Sequence, residues 1–177
     1  TTHTAENISK LNSQISEKYV VDLASTESID HFISDLSQKD EKISGVIIAS
    51  GVVGFSPAEN TEPSHVQIIT QINYLGPAQL INALFPLLKA DSENGSFVLG
   101  ITGVVVEQTF PGMSAYTSSK AAFSAYLQSI TKEWRRYKIK VTEARLGHTE
   151  TGLAERAIFG TAPQMPTGLD PEKVVTT

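Results

Sequence analysis

The sequence predicts a doubly wound parallel α/β sheet with helices on both faces, forming one Rossmann-like domain over residues 1–177. Apolar, strand-like runs alternate with segments of helical spacing, and this alternation is typical of a parallel sheet with crossover helices. The run at residues 43–49 is apolar without alternation, which is the pattern of a strand covered on both faces. Further strands are expected at residues 96–101 and 139–146.

Composition favours a soluble globular protein. The chain has 177 residues, of which 40% are hydrophobic and 19% are charged, enough to bury a sizeable core. The net charge is −5 with scattered basic residues, which argues against binding to nucleic acid or a membrane surface. No apolar run approaches the roughly 20 residues of a membrane-spanning helix. We therefore expect a cytoplasmic protein.

The first third of the chain is predicted to contain two helices and two strands. Residues 5–15 have the spacing of a short amphipathic helix, and residues 18–23 form a β-branched run that predicts a buried strand. Ser25 or Thr26 is a suitable N-cap for the next helix. The apolar face of that helix consists of Ile29, Phe32, Ile33 and Leu36.

The rest of the chain repeats this order with longer helices. Residues 62–89 are helical in pattern but interrupted at Asn73, Gly76 and Pro77, which predicts two helices or one kinked helix. Residues 115–137 are predicted to form the longest helix. The segment from the last strand to Pro166 is predicted to be a loop with a short helix.

Small or polar residues follow three of the predicted strands. They occupy residues 49–51, 101–103 and 147–151. Ligands of parallel sheets bind outside the carboxyl ends of the strands, so these residues are expected to gather at one ligand-binding edge. The helix that begins near residue 115 follows the middle one of these strands.

Tyr116 and Lys120 stand four residues apart at the start of that helix. Residues at this spacing lie on one helix face, one turn apart. A nearby ammonium favours the phenolate, so the tyrosine pKa is expected to fall from its usual value of about 10. A tyrosine tuned in this way exchanges protons with an alcohol or carbonyl oxygen near neutral pH. The alternative is a solvated ion-pair face without chemistry.

These residues resemble the catalytic motif of the short-chain dehydrogenase/reductase family. Tyr116-x-x-x-Lys120 is similar to the catalytic pair of the family. The catalytic hydroxyl, at the end of the strand before that pair, falls on Thr102, with Gly103 as the alternative register. Asn73 is similar to the helix asparagine that helps to hold a proton-relay water, although a simple helix break is the alternative.

The resemblance extends from about residue 20 to residue 153 and implies a nicotinamide cofactor, NAD or NADP. It places Asp22 near the adenine ring and Thr151 at the nicotinamide carboxamide. The alternatives are a polar strand end or a loop residue for Asp22 and a helix cap for Thr151. The residues that the resemblance assigns to the cofactor are Asp22, Ala49, Ser50, Gly51, Tyr116, Lys120, Gly147 and Thr151. Residues 48–51 replace the Asn-Asn-Ala-Gly signature of the family and retain only its glycine.

The implied reaction is hydride transfer between NAD(P)(H) and a carbonyl or secondary alcohol. Apolar residues at 104–106, Phe110 and the segment 153–165 are expected to line the substrate pocket, which indicates a small lipophilic substrate. The family resemblance also implies a homo-oligomer. Four dispersed histidines and no cysteine do not suggest a metal site.

Two other functions remain open at this stage. One is a non-catalytic dinucleotide-binding or regulatory protein, which the altered Asn-Asn-Ala-Gly positions favour. The other is an epimerase or dehydratase of the related extended family, which shares Tyr-x-x-x-Lys. Such enzymes usually carry a larger C-terminal substrate domain, and the sequence shows none.

The first prediction concerns the chain of residues 1–177 tested alone. No Gly-x-x-x-Gly-x-Gly motif occurs near its beginning, so the first βαβ unit of the family, which binds the cofactor pyrophosphate at a helix N-terminus, is expected to be missing. We expect these residues alone neither to bind NAD(P) tightly nor to turn over substrate. Calorimetric titration with NAD⁺, NADH, NADP⁺ and NADPH tests this, and micromolar binding to a monomer would contradict it.

Overall fold

A computed structural model describes residues 15, 17–39 and 42–176. Its sheet has three parallel strands in the order β1-β2-β3. The strands are β1 (Gly45–Ile48), β2 (Phe97–Ile101) and β3 (Lys140–Ala144). The predicted parallel α/β class is therefore confirmed, and each of these strands lies within the range predicted for it. The helix predicted at residues 5–15 falls outside the described residues except for Ile15.

The described helices follow the predicted order. The α-helices are α1 (Thr26–Ser37), α2 (Pro63–Thr70), α3 (Gly76–Ala90), α4 (Ser114–Trp134) and α5 (Pro171–Thr176). Short 3-10 helices occur at Ala58–Asn60, Ser92–Asn94, Val104–Val106 and Arg135–Tyr137. Ser25 caps α1, because its side chain accepts a hydrogen bond from the Ser28 amide.

A π-helical turn, Gln71–Leu75, joins α2 to α3 and explains the interruption seen in the sequence. It buries Asn73, whose side chain is 1% exposed. The predicted kinked helix is therefore a continuous one with a π-bulge. Such bulges are rare and often occur at functional sites.

Two predicted elements are wrong. Residues 18–23 form no strand; Val20 makes only an isolated bridge, and a turn follows at Leu23. A strand needs a ladder of successive backbone hydrogen bonds, whereas this segment is tied by the Asp22 amide, which donates to the Ser28 hydroxyl. The short helix expected before Pro166 is likewise absent, since residues 151–156 form bends and turns.

The two faces of the sheet differ in the part of the chain that the structure describes. Val46, Ile48 and Val98 are buried in one core with side chains of α1, α3 and α4. On the opposite face Ile47 is 59% exposed and Phe97 38% exposed. The described helices thus cover one face at these positions.

We predict that Gly100→Ala destabilises the fold, because Gly100 lies where α4 crosses β2. A Cβ atom at this position would lie 2.4 Å from Leu127 Cδ1 and 3.1 Å from Phe123 Cε1. Both side chains are almost completely buried, so overpacking should lower the free energy of unfolding by about 1–3 kcal/mol. Chemical denaturation measures the change.

Gly147→Ala is the matched control, since the nearest atom to its added Cβ is Leu169 Cδ1 at 3.8 Å. Equal stability of the two variants would show that α4 does not pack tightly against β2 at Gly100.

Candidate active site

The segments that the sequence predicts to form a ligand-binding edge lie at the carboxyl ends of the three strands. β1 runs into Ala49, Ser50 and Gly51, and β2 runs into Thr102. The pairing of β2 with β3 continues beyond the strands, because the Val104 amide donates to the Leu146 carbonyl at 2.9 Å. Gly147 follows at once. The structure therefore places these loops at one edge, as expected for a parallel sheet.

Tyr116 and Lys120 lie in the first two turns of α4 and are both buried, at 8% and 4% exposure. Tyr116 packs in an apolar cluster with Val53, Phe55 and Val105. The Lys120 ammonium donates to the carbonyl of Ile101, at 3.2 Å. A solvated helix face, the alternative interpretation of the pair, does not fit this burial.

Gly51 brings the end of β1 against Lys120. A Cβ atom on Gly51 would lie 3.0 Å from Lys120 Nζ and 3.3 Å from Asn73 Oδ1. These contacts are tighter than ordinary van der Waals distances, so a larger residue would displace one of the two polar groups. The glycine thus allows the end of β1, the π turn and α4 to converge.

Asn73 joins these three elements through its side-chain amide. Its Oδ1 accepts from the Val52 amide at 2.9 Å, and its Nδ2 donates to the Val52 carbonyl at 2.9 Å. The same Nδ2 donates to Ser119 Oγ at 3.0 Å. Both Asn73 side-chain protons are therefore engaged in protein contacts. Its predicted role in holding a relay water stays a prediction.

The pKa of Tyr116 differs from the sequence-based expectation. Burial raises the pKa of Tyr116 and lowers the pKa of Lys120 to about 8. The expectation of a lowered tyrosine pKa is therefore wrong. The reason is that the removal of both groups from water disfavours their charged forms.

Thr102 is buried, but its hydroxyl contacts neither Tyr116 nor Lys120. Thr102 Oγ1 donates instead to Glu143 Oε1 at 2.7 Å. Glu143 pairs in register with Gly100, whose missing side chain faces α4. Because side chains alternate along a strand, Thr102 points to the same side as Gly100. Gly103, the alternative register, supplies no hydroxyl.

Sequence reasoning missed Glu143 and its partner Arg145. Arg145 binds Glu143 at 3.0 Å and Glu107 at 2.7 Å. The available signal was a pair of opposite charges two residues apart at the end of a predicted strand. At that spacing both side chains lie on one face of the strand.

A cleft of about 640 Å³ runs beside β1 and contains several of the residues expected to bind the cofactor. Asp22, Ala49, Ser50 and Gly51 line it, and Ala49 and Ser50 are exposed. Asp22 Oδ1 also accepts a hydrogen bond from the Ala24 amide at 2.8 Å. This contact agrees with the alternative in which Asp22 is a loop residue, whereas a strand end is excluded because residues 18–23 form no strand.

Thr151 lies in an exposed turn beyond Gly147 and caps no helix. Its amide donates to the Thr149 carbonyl at 2.8 Å, and its carbonyl accepts from the Arg156 guanidinium at 3.2 Å. Thr149 Oγ1 in turn donates to the Gly147 carbonyl at 3.0 Å. The predicted contact of Thr151 with the nicotinamide carboxamide stays a prediction.

The segment expected to line a substrate pocket packs beside Tyr116. Its partly buried members in the cluster of Tyr116 are Leu153, Ala154, Ala157, Phe159 and Ala162. Backbone hydrogen bonds tie Phe55 to Phe159 at 3.0 Å and Ile158 to Val53 at 2.9 Å. The wall next to the phenol is therefore largely apolar. Phe110, also expected there, is 40% exposed.

Two features are absent from the described residues 15, 17–39 and 42–176. Within those ranges no group of three or more His, Asp or Glu side chains has metal-binding geometry. No described helix is both long and apolar enough to cross a membrane.

Comparison with protein families identifies one matching model. The model described as short chain dehydrogenase matches residues 1–158. Dehydrogenase/reductase SDR family member 7B of Xenopus tropicalis is 26% identical over 141 residues, which cover 80% of this chain and 45% of that protein. The 1-hydroxy-2-glutathionyl-2-methyl-3-butene dehydrogenase of Rhodococcus sp. (strain AD45) is 32% identical over 102 residues, covering 58% of this chain and 45% of that enzyme.

A solved structure shows the same fold. The alcohol dehydrogenase of Thermococcus sibiricus, complexed with 5-hydroxy-NADP, superimposes with a TM-score of 0.76 at 20% identity. The match covers 89% of this chain and 64% of that one. The chain thus spans about half the length of the curated relatives it matches.

We predict that Lys120→Met stabilises the protein at pH 7. The folded pKa of about 8 lies below the usual 10.5, so between these values the unfolded chain holds more protons and stability rises with pH. Below pH 8 both states are protonated and the burial penalty is complete. The substitution removes this penalty but also the hydrogen bond to the Ile101 carbonyl. The net effect should be a rise in the free energy of unfolding on the order of 1–3 kcal/mol.

The advantage of Lys120→Met should shrink between pH 8 and pH 10. Urea denaturation at several pH values measures it, with the exposed Lys132→Met on the same helix as control. A pH-independent difference between the two variants would contradict the buried-ammonium explanation.

Proposed function

Because the chain belongs to the short-chain dehydrogenase family, we propose that it carries the acid–base pair of an NAD(P)-dependent oxidoreductase. The reaction is hydride transfer between the cofactor and a carbonyl or secondary alcohol. The observation that carries this proposal is the burial of Tyr116 and Lys120 at the ligand-binding edge, with Gly51 against the ammonium. The match of the family model supports it.

The residues at the edge fit a nicotinamide dinucleotide. Gly51 leaves open the space that a Cβ would fill beside Lys120 Nζ, so a ribose hydroxyl can approach the ammonium. Ala49 and Ser50 expose the end of β1 along the cleft, and Asp22 lines its other side. Gly147 and Thr151 would serve the nicotinamide end. When bound, the cofactor supplies or accepts the hydride.

Tyr116 is proposed to move the proton at the substrate oxygen. Burial raises its pKa, so the phenol is protonated near neutral pH and suits a general acid for carbonyl reduction. In the oxidation direction it must lose this proton, and a protonated Lys120 stabilises the phenolate that forms. Asn73 holds the end of β1 and α4 in place through Val52 and Ser119.

The apolar wall next to Tyr116 supports a small lipophilic substrate. Val105 and Phe55 are buried in the same cluster as Tyr116, and Phe159 packs against that cluster. An apolar wall excludes water from the reacting oxygen and favours substrates with hydrocarbon neighbours at the carbonyl carbon.

Thr102 remains a predicted donor to the substrate oxygen. That prediction expects Thr102→Ser to be tolerated and Thr102→Ala to cost about 2–4 kcal/mol in the barrier. The hydrogen bond that Thr102 donates to Glu143 competes with donation to the substrate, because a hydroxyl has one proton to donate. The competition also favours the second candidate function, a dinucleotide-binding protein without efficient chemistry.

We predict that Tyr116→Phe in the full-length protein abolishes most turnover while cofactor binding persists. The substitution removes only the hydroxyl that transfers the proton, which is worth about 10²–10⁴-fold in rate. Tyr126→Phe is the control on the same helix, since that hydroxyl donates to Asn82 Oδ1 at 2.8 Å. Kinetics with ketones and alcohols and titration with NADH and NADPH provide the measurements.

The oxidation rate of the unsubstituted protein should fall as pH falls through the Tyr116 pKa, because the base form is lost. A Tyr116→Phe protein with near-normal activity would exclude this mechanism. Cofactor binding without turnover in the unsubstituted protein would favour the non-catalytic function.

A further inference from the structure

A network of charged and polar side chains lies on the side of the sheet that faces α4. Thr102 Oγ1 donates to one oxygen of Glu143 at 2.7 Å, and Arg145 donates to the other at 3.0 Å. The second arm of the Arg145 guanidinium donates to Glu107 at 2.7 Å. Ser124 of α4 accepts from Arg145 at 3.4 Å. The proposed acid–base chemistry uses none of these charges.

The carboxylate of Glu143 is the least exposed charge of this network. Its side chain is 12% exposed, against 35% for Arg145 and 58% for Glu107. Burial acts to raise the pKa of Glu143, but hydrogen bonds from Arg145, Thr102 and Ser124 together hold it below its usual value. Glu143 is therefore ionised at neutral pH, and the Thr102 hydroxyl faces a full negative charge. Such charge-assisted bonds are about twice as strong as neutral ones.

The other end of the network holds the turn that follows β2. Glu107 ends the 3-10 turn Val104–Val106, and its amide donates to the Val104 carbonyl at 2.9 Å. The middle residue of this turn, Val105, is buried in the apolar cluster of Tyr116. The ion pair of Arg145 with Glu107 therefore constrains the turn that places Val105 in the apolar wall beside the phenol.

We propose that Glu143 and Arg145 are positioning residues that hold the turn at Val104–Val106 against Tyr116, with Thr102 as the anchor on β2. This inference rests on the proposed oxidoreductase function and assigns the Thr102 hydroxyl to Glu143 rather than to the substrate. Val105 then has a defined place in the substrate pocket, and the network acts on substrate fit more than on proton transfer.

The geometry explains why these residue types are needed. The planar guanidinium of Arg145 reaches two carboxylates at once, Glu143 on its own strand and Glu107 on the turn. A lysine is a point charge without this fork. Thr102 ties the network to the end of β2, because its hydroxyl donates to Glu143 Oε1.

Amide hydrogen exchange tests the positioning without any need for turnover. The readouts are the amides of Glu107 and Gln108, which donate to the Val104 carbonyl at 2.9 and 3.0 Å. We expect Arg145→Met and Glu107→Gln each to accelerate exchange at these amides at least several-fold. The matched control is Glu93→Gln, which breaks the exposed pair with Lys138 and should leave both amides unchanged.

Glu107 is exposed, so Glu107→Gln keeps the experiment valid if Arg145→Met fails to fold. Unchanged exchange at both amides in Glu107→Gln would overturn the proposal.

A kinetic double-mutant cycle on the full-length protein separates the two roles of Thr102. We expect Thr102→Val and Glu143→Gln each to raise KM several-fold with a smaller effect on kcat, and the double variant to be no worse than the poorer single one. Thr102→Ser should restore the unsubstituted values. Non-additivity of this kind is the mark of groups that act together.

The proposal would be overturned if the loss in the double variant equalled the product of the losses in the two single variants and Thr102→Val alone strongly lowered kcat. That result would show that Thr102 donates to the substrate instead. If the unsubstituted protein turns over no substrate, the proposed function fails, and amide exchange still decides whether the network holds the turn.

Discussion

Burial of the Lys120 ammonium is the constraint on which the geometry of the site depends. A charge at 4% exposure needs a partner, and the Ile101 carbonyl at the end of β2 provides it. A Cβ atom at position 51 would lie only 3.0 Å from the same ammonium, so glycine permits this close approach. The end of β1, the end of β2 and the start of α4 are therefore held at fixed distances by one cation.

Two polar links brace α4 from different directions. Asn73, in the π turn, ties the helix to the end of β1 through Ser119 and Val52. Glu143 and Arg145 tie its middle, at Ser124, to the end of β3. Between these links the first turns of α4 hold Tyr116 in an apolar cluster. The phenol ring therefore packs in apolar surroundings, while the polar groups of both links keep their hydrogen bonds.

The apolar surroundings of Tyr116 have an electrostatic consequence. Removal from water disfavours both the phenolate and the ammonium, so the pKa of Tyr116 is raised and that of Lys120 is lowered to about 8. Burial of the Lys120 ammonium costs stability, and the proposed acid–base role of this lysine would account for its presence. A buried lysine whose charge costs the fold stability is a mark of a functional site.

Local sequence patterns were enough for the three strands, the long helix with Tyr116 and Lys120, and the break at Asn73. These features depend on the spacing of apolar residues and on the positions that interrupt this spacing. Neighbouring residues in the sequence are enough to establish both.

Other features depend on contacts between remote segments. Residues 18–23 were misassigned because a strand is defined by the partner that it pairs with. The direction of the Thr102 hydroxyl depends on Glu143, 41 residues further along. Likewise, the pKa of Tyr116 depends on how many distant side chains exclude water from it. Contacts and burial of this kind arise only when remote segments fold together, so the tertiary structure alone specifies them.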